Sequence, residues 1–388
     1  MIKHLLAGAL AMAWAGVSNG DEEKPNLQTR FNVIAYGEAR GVKEESPLNP
    51  GNRLKLQRYL AGTEFRLDLD LDLDRWEVSF KPRGRAEWSH WREARPSIPY
   101  GFQWEAQEDR DFDLFVNEWT LRYRCTDRLF LGYGRRILQW GPSHLLSVSN
   151  PFIQDNGKAN PLRELPGSDY GTAVWLPSDR VTVSMMANTD EGRLKPAKGF
   201  ERAYALKFDY TGDEKYFSLI PSKREGDPAS LGFFGLLNAS EALLIYGDGQ
   251  ISKEVKETQV LLGGSYTFWE GTTLALEYYH NGKGCGSKPI RECASVGPPS
   301  REQGLSFIRE NYIMAEYFKN GIIDRINLTL RWVEDLDEHS SWLLGILEYD
   351  LNDHTQCYGI GSLFGGYDDT ELGGLFDYAF LVGVSYTF

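Results

Sequence analysis

The chain has 388 residues, 41% of them hydrophobic, and a formal charge of −13. That balance supplies apolar surface for a sizeable fold and argues against nucleic acid as a partner. Mean hydropathy is −0.42, and beyond residue 20 no run approaches the roughly 18 apolar residues of a spanning helix, a test that half-apolar strands escape.

Residues 1–20 read as a secretory leader. Lys3 gives the positive start, Leu5 to Val17 the apolar core, and Ser18 and Gly20 the small residues before a cut. Asp21-Glu22-Glu23-Lys24-Pro25 follows as an exposed start, so 21–388 is read as one domain. No Cys follows the leader core, which argues against a lipid anchor.

Further on, the pattern has period 2. Leu67, Leu69, Leu71 and Leu73 share one face of a strand, and Asp68, Asp70, Asp72 and Asp74 share the other. After Asp74-Arg75, the next strand puts Trp76, Val78 and Phe80 on the apolar face and Glu77, Lys81, Arg83 and Arg85 opposite. A two-residue turn here sets Asp68 across from Lys81 and Glu64 across from Arg85, as cross-strand ion pairs. The Asp ladder reads as wall chemistry, because calcium needs oxygens that converge from a loop. The next two strands place Trp119, Leu121 and Tyr123, then Leu129, Leu131, Tyr133 and Ile137, on the apolar face. Glu118, Arg122 and Arg124, then Arg128, Gly132, Gly134 and Arg136, fall on the polar one.

A connection over 139–167 comes next. It carries Leu145, Leu146, Val148, Phe152, Ile153, Leu162 and Leu165, which is too much apolar surface to leave in water. Later strands put Leu274, Leu276 and Tyr278 on one face and Glu277 and Tyr279 on the other. Ile326, Leu328, Leu330 and Trp332 likewise oppose Arg325, Asn327, Thr329 and Arg331. Of four Cys, Cys285 and Cys293 bracket a short Gly/Pro-rich stretch and read as a disulfide clip in an oxidising compartment. Cys125 and Cys357 fall near turns on distant strands, and their pairing stays open.

Short and long connections rotate along the chain. The short ones are Asp74-Arg75, Cys125-Thr126-Asp127, Pro177-Ser178-Asp179, Thr211-Gly212-Asp213, Asn238-Ala239-Ser240, Trp269-Glu270-Gly271, Lys319-Asn320-Gly321 and Asn352-Asp353. The long ones fall near 42–53, 93–110, 139–167, 190–199, 221–230, 247–256, 282–306, 334–339 and 365–373. The rotation gives about 18 strands, an even number as a closed antiparallel barrel of this type requires. The last strand alternates Phe380, Val382, Val384 and Tyr386 and ends on Phe388, and it must pair with the first, around Phe31, Val33 and Ala35.

This terminal alternation resembles the closing strand of Gram-negative outer-membrane barrels. The resemblance implies an all-β transmembrane barrel in outer-membrane lipid, with short turns in the periplasm and long loops outside. It also implies that the closing strand is read by the barrel-insertion machinery. Gly134-Arg135-Arg136, then Trp140-Gly141-Pro142 and Asn150-Pro151-Phe152, resemble an element of porin-like barrels in which a strand end leads into a loop packed at or inside the mouth. The same stretch is similar to part of the capsule surface-assembly lectin, which implies sugar binding.

The polar faces then become lumen. Asp68, Asp70, Lys81, Arg83, Arg85, Glu118, Arg122, Arg124, Arg136, Glu277, Arg325 and Arg331 are the expected lining. Loop 139–167 is expected to fold inward as a constriction, with Trp140, Asn150, Asn156, Lys158, Arg163 and Glu164 at or near the pore; the alternative is a loop packed over the rim. No Gly-x-Ser-x-Gly or His-Glu-x-x-His occurs, and Ser143-His144 are mere sequence neighbours, so neither catalysis, a metal nor a cofactor is expected. The function expected is a channel for passive or weakly selective passage of small polar or anionic solutes. The alternative is a non-conducting surface barrel that binds or exports polysaccharide or another acidic polymer.

Overall fold

The computed structural model describes residues 25–97, 101–193, 199–252, 257–286, 289–293 and 307–388; the leader lies outside them. The first strands are β1 (Asn26–Val42), β2 (Tyr59–Leu73), β3 (Trp76–Ser97), β4 (Gly101–Thr126), β5 (Leu129–Arg136) and β6 (Ser168–Ser178). Then come β7 (Val181–Asp190), β8 (Ala203–Thr211), β9 (Lys215–Arg224), β10 (Ser230–Asn238), β11 (Leu243–Ser252) and β12 (Gln259–Thr267). The last are β13 (Thr272–Asn281), β14 (Asn311–Ile323), β15 (Ile326–Asp335), β16 (Ser340–Asn352), β17 (Thr355–Gly365) and β18 (Phe376–Thr387). Each pairs antiparallel with the next. β18 returns to β1 through Tyr386–Val33 and Val384–Ala35, closing an 18-stranded barrel with no free edge at the seam.

Alternation decides which way each side chain faces. Phe380, Val382, Val384 and Tyr386 are 38–53% exposed, and so point away from the interior. Leu274, Leu276, Tyr278, Leu330 and Trp332 do the same. A band of bare apolar side chains this continuous is stable only against hydrocarbon. Rings gather at its lower edge: Phe388 lies 5.3 Å from Phe31 and 4.6 Å from Tyr386, and Trp76 lies 4.6 Å from Tyr123. This is the placement of an interfacial aromatic girdle.

Several connections differ from the sequence reading, and the one expected at 247–256 starts only after Ser252, because β11 runs that far. The stretch 93–110 is no open loop: β3 and β4 run to 22 and 26 residues and pair as far as Ser97–Gly101, so a two-stranded ribbon rises beyond the barrel. About ten residues already span a bilayer. Strand β14 continues past Lys319 through a bulge, and the turn is Asp324-Arg325. Strand β5 stops at Arg136, so Ile137 opens the connection instead of facing lipid.

The interior has two unlike halves. Tyr246, Leu261, Tyr279, Tyr312, Met314, Val333, Trp342, Leu344, Ile346, Ile360 and Leu381 line β11–β18 and form a buried apolar core with Leu145, Leu146, Val148 and Leu162 of the connection after β5. A wall expected to be polar all round is therefore apolar on this side, and the connection covers it. Small residues allow the close fit. A Cβ at Gly383 would come 2.5 Å from Leu162 Cδ1, and one at Gly232 would come 2.6 Å from the Ser149 carbonyl oxygen. Outside the barrel, Cys285 and Cys293 form the disulfide, with Cα atoms 5.7 Å apart; Cys125 and Cys357 are not disulfide-bonded.

Candidate functional site

Residues 137–167 leave the end of β5 and cross the barrel. Carboxylates of the far wall hold them by the backbone. Glu277 on β13 accepts the N–H of His144 at 2.6 Å and of Leu145 at 2.9 Å, and the Tyr246 hydroxyl at 2.7 Å. Asp248 on β11 accepts the N–H of Val148 at 3.2 Å and of Ser149 at 2.8 Å. The His144 ring places Nδ1 2.7 Å from Glu316 on β14, which Arg331 on β15 also contacts at 2.6 Å. Hydrogen bonds to a charged acceptor contribute about 1.5–3 kcal/mol each, more than neutral ones, and the buried carboxylates would be costly without them.

The near wall holds the other end of the loop. Arg66 on β2 donates to the Leu162 carbonyl oxygen at 2.6 Å. Arg83 on β3 grips Glu164 through Nε at 2.8 Å and Nη2 at 2.7 Å, and touches Asp68 at 2.9 Å. Asn117 on β4 donates to the Leu165 carbonyl oxygen at 3.0 Å. The loop is thus tied to opposite walls and packed on the apolar half.

Beside it, a cavity of about 570 Å³ runs along the inner face of β2–β6. Its polar lining includes Asp70, Asp72, Glu77, Lys81, Glu118, Arg122, Arg136, Tyr170 and Thr172. Lys81 pairs with Glu118 at 2.7 Å and Arg122 with Glu77 at 2.8 Å, the Arg122 guanidinium lying 4.2 Å from the Phe130 ring centroid. Among the described residues no ion pair within 4.0 Å engages Arg136, Asp70 or Asp72, so these three present their charge to the cavity.

The residues singled out from sequence therefore separate. Asp70, Lys81, Glu118, Arg122 and Arg136 line the cavity. Asp68 turns to Arg83 rather than to Lys81. Arg85 stands 3.7 Å from Glu64 and 5.6 Å from the Phe115 ring centroid, higher on the wall. Arg83, Glu277 and Arg331 are buried under the loop as anchors. Arg124 donates to the Asp74 carbonyl oxygen at the periplasmic end, and Arg325 lies exposed in its turn.

Within the loop, Asn150 is 2% exposed; it donates to the Leu138 carbonyl oxygen and accepts the Phe152 N–H, so it shapes the backbone away from the cavity. Trp140 packs edge-on to Phe152 at 5.7 Å and over the Lys207 ammonium at 5.7 Å. Asn156 donates to the His144 carbonyl oxygen, Arg163 pairs with Asp155, and Lys158 donates to the Ser143 carbonyl oxygen at 2.7 Å. Burial pushes the Lys158 ammonium below its ordinary pKa, with Glu277 pulling the other way. The Ser143 hydroxyl donates to the Leu146 carbonyl oxygen, away from His144.

Asp248 and Glu316 were missed, and a signal for them exists. Asp248 is the lone charge of β11, and Glu277 the lone charge of β13. In β14, Glu316 is the lone acid. A single inward carboxylate on an apolar strand calls for a donor from somewhere else, here the loop.

A closed strand cylinder with a lipid-facing apolar band defines an outer-membrane β-barrel. No protein-family model and no curated protein matches the sequence. Solved structures do. The chain is similar to OccK11 (OpdR) of Pseudomonas aeruginosa, at 12% identity and TM-score 0.58, covering 93% of this chain and 95% of that one. OccK5 (OpdH) of the same organism matches at 11% identity and TM-score 0.56, covering 93% and 98%. OccAB3 of Acinetobacter baumannii matches at 12% and 0.55, covering 94% and 99%. These are outer-membrane porins of Gram-negative bacteria, and at such identities the likeness is one of fold.

Proposed function

We propose that the protein is a porin-like outer-membrane channel for passive or weakly selective passage of small polar solutes, anionic ones among them. The observation that carries this reading is the loop tied to both walls, beside which a charge-lined cavity runs along β2–β6. Loop 137–167 is its constriction, and Trp140, Asn150, Asn156, Lys158, Arg163 and Glu164 act by holding that loop in shape. Both signs line the passage, so charge selection is weak; Arg136 is the contact open to an anionic group. The closing strand with Phe388 serves as the address for the insertion machinery.

Planar-bilayer recording of the purified protein tests the channel. Stable conductance steps that grow when residues 143–164 are deleted support it. A silent protein, or a deletion that leaves conductance unchanged, overturns it. The alternative of a surface barrel that binds or exports a polymer has less support, because the segment similar to the capsule lectin packs against the inner wall.

A further inference from the structure

The ribbon above the barrel has one open side. Strand β4 pairs with β3 up to Ser97–Gly101, but β5 reaches only Trp119–Arg135. Above that point other groups take over the outer edge of β4 for a short way. Arg135 donates to the Val116 carbonyl oxygen at 3.2 Å, and Arg193 reaches Asp113 at 3.0 Å with its guanidinium 3.7 Å from the Phe115 ring centroid. From Gln103 to Phe112, no described residue hydrogen-bonds to the outer edge of β4.

Natural edges of this length are blunted with charges, Pro or a bulge. The stretch 103–112 has neither Pro nor a bulge and is guarded by charge alone, mostly acidic, which selects against all but a basic partner. Its inner row carries Glu105, Asp109 and Asp111; among the described residues an ion pair engages Glu105, by exposed Arg95 at 3.0 Å, and none engages the other two. On the opposite face Phe112 is 66% exposed. Two copies pairing antiparallel through this edge would set acid against acid, which disfavours self-association. A guanidinium is welcome, as Arg193 demonstrates at the foot of the same row.

We propose that the edge Gln103–Phe112 docks an extended basic segment of an extracellular polypeptide, which adds beside β4 as one more strand. Its backbone pairs with the open edge, Lys or Arg at alternate positions meet Asp109 and Asp111, and an apolar residue covers Phe112.

The test uses the full protein in detergent micelles and an alternating Lys-Val peptide as long as the edge, with a Glu-Val peptide and a Lys-Val peptide N-methylated at alternate residues as controls. Binding is read by fluorescence anisotropy, and backbone protection of 103–112 by hydrogen exchange. The proposal expects Lys-Val alone to bind and protect 103–112, and the Asp109→Asn/Asp111→Asn variant to lose about tenfold in affinity. Equal binding of the N-methylated peptide, binding of Glu-Val, or no protection overturns it. So does protection of 103–112 without peptide, whether it comes with a dimer in sedimentation or from the micelle.

Discussion

Arg83 and Glu164 form a two-pronged ion pair across the barrel interior, 2.8 Å and 2.7 Å apart at the two contacts, with the Arg83 side chain 2% exposed. One belongs to the wall and the other to the end of the loop, so this pair fixes where the loop rejoins the sheet. Removing one partner of a buried pair costs about 3–5 kcal/mol, because the other charge is left uncompensated. Arg83→Ala also strands Asp68. The expected outcome is a lowered thermal transition in detergent and noisier single-channel current, with strand content in circular dichroism unchanged.

The far anchors make a complementary prediction. Glu277→Ala together with Asp248→Ala leaves four loop N–H groups without their acceptors. The loop should then lift from the apolar half, giving larger and more variable conductance steps. Glu277→Gln keeps one acceptor oxygen and should fall between this variant and wild type. Identical current traces in all three would sink the anchoring role.

Charge selection is the third matter. Arg136→Ala removes a half-buried cation from a lining that also holds Asp70 and Asp72. In a salt gradient the reversal potential should move toward cation preference, and Asp70→Asn/Asp72→Asn should move it the opposite way. Arg325→Ala, in its exposed turn, should leave it in place.

The extracellular loops carry a pH dependence. Glu371 accepts the Ile308 N–H at 2.8 Å, the Arg309 N–H at 3.2 Å and the Tyr312 hydroxyl, joining two outer loops to a strand. Burial pushes its carboxyl up to about 8, against the Tyr312 and Ile308 hydrogen bonds, and Asp335 adds to the rise. A folded pKa above the ordinary 4.5 means that the folded state holds the proton longer. The contribution is then fully present below pH 4.5 and is lost as pH climbs through about 8. Hydrogen exchange at 307–310 should accelerate across that window, and Glu371→Gln should flatten the profile.

Phe388 gives the last prediction. Its ring touches Phe31 and Tyr386, and its N–H donates to the Phe31 carbonyl oxygen at 2.9 Å. If the insertion machinery reads this end, Phe388→Ala should lower the amount of barrel assembled in cells while refolding into detergent stays near wild type. Equal loss in both assays would assign Phe388 to stability alone.

Much of the fold was legible because the lipid imposes a rule that each strand repeats. Leu67, Leu69 and Leu71 or Phe380, Val382 and Val384 announce their face without reference to any neighbour. Turns with Asn, Asp or Gly mark the periplasmic ends nearly as clearly. Interior contacts obey no such local rule. Lys81 and Asp68 oppose each other by register, yet Lys81 pairs with Glu118 one strand further on, and Asp68 with Arg83, two residues along the same strand as Lys81. The apolar half of the wall was hidden for the same reason. Tyr279 and Tyr312 occupy inward positions and pack on each other and on Phe307 of the outer connection before β14, contacts that no strand pattern announces. The ribbon escaped notice because Glu93, Arg95, Glu105 and Glu108 look like a solvated loop, and solvated is what a two-stranded ribbon outside the membrane also is.

The loop's attachments have a mechanical consequence. A wide strand cylinder with nothing across it resists flattening only through its own hydrogen bonds, which bend easily. Here a chord runs from Glu277 on β13 to Arg66 and Arg83 on β2 and β3, nearly opposite one another around the circumference. The span between those walls is thereby set like a strut in a hoop, which braces the cavity beside it.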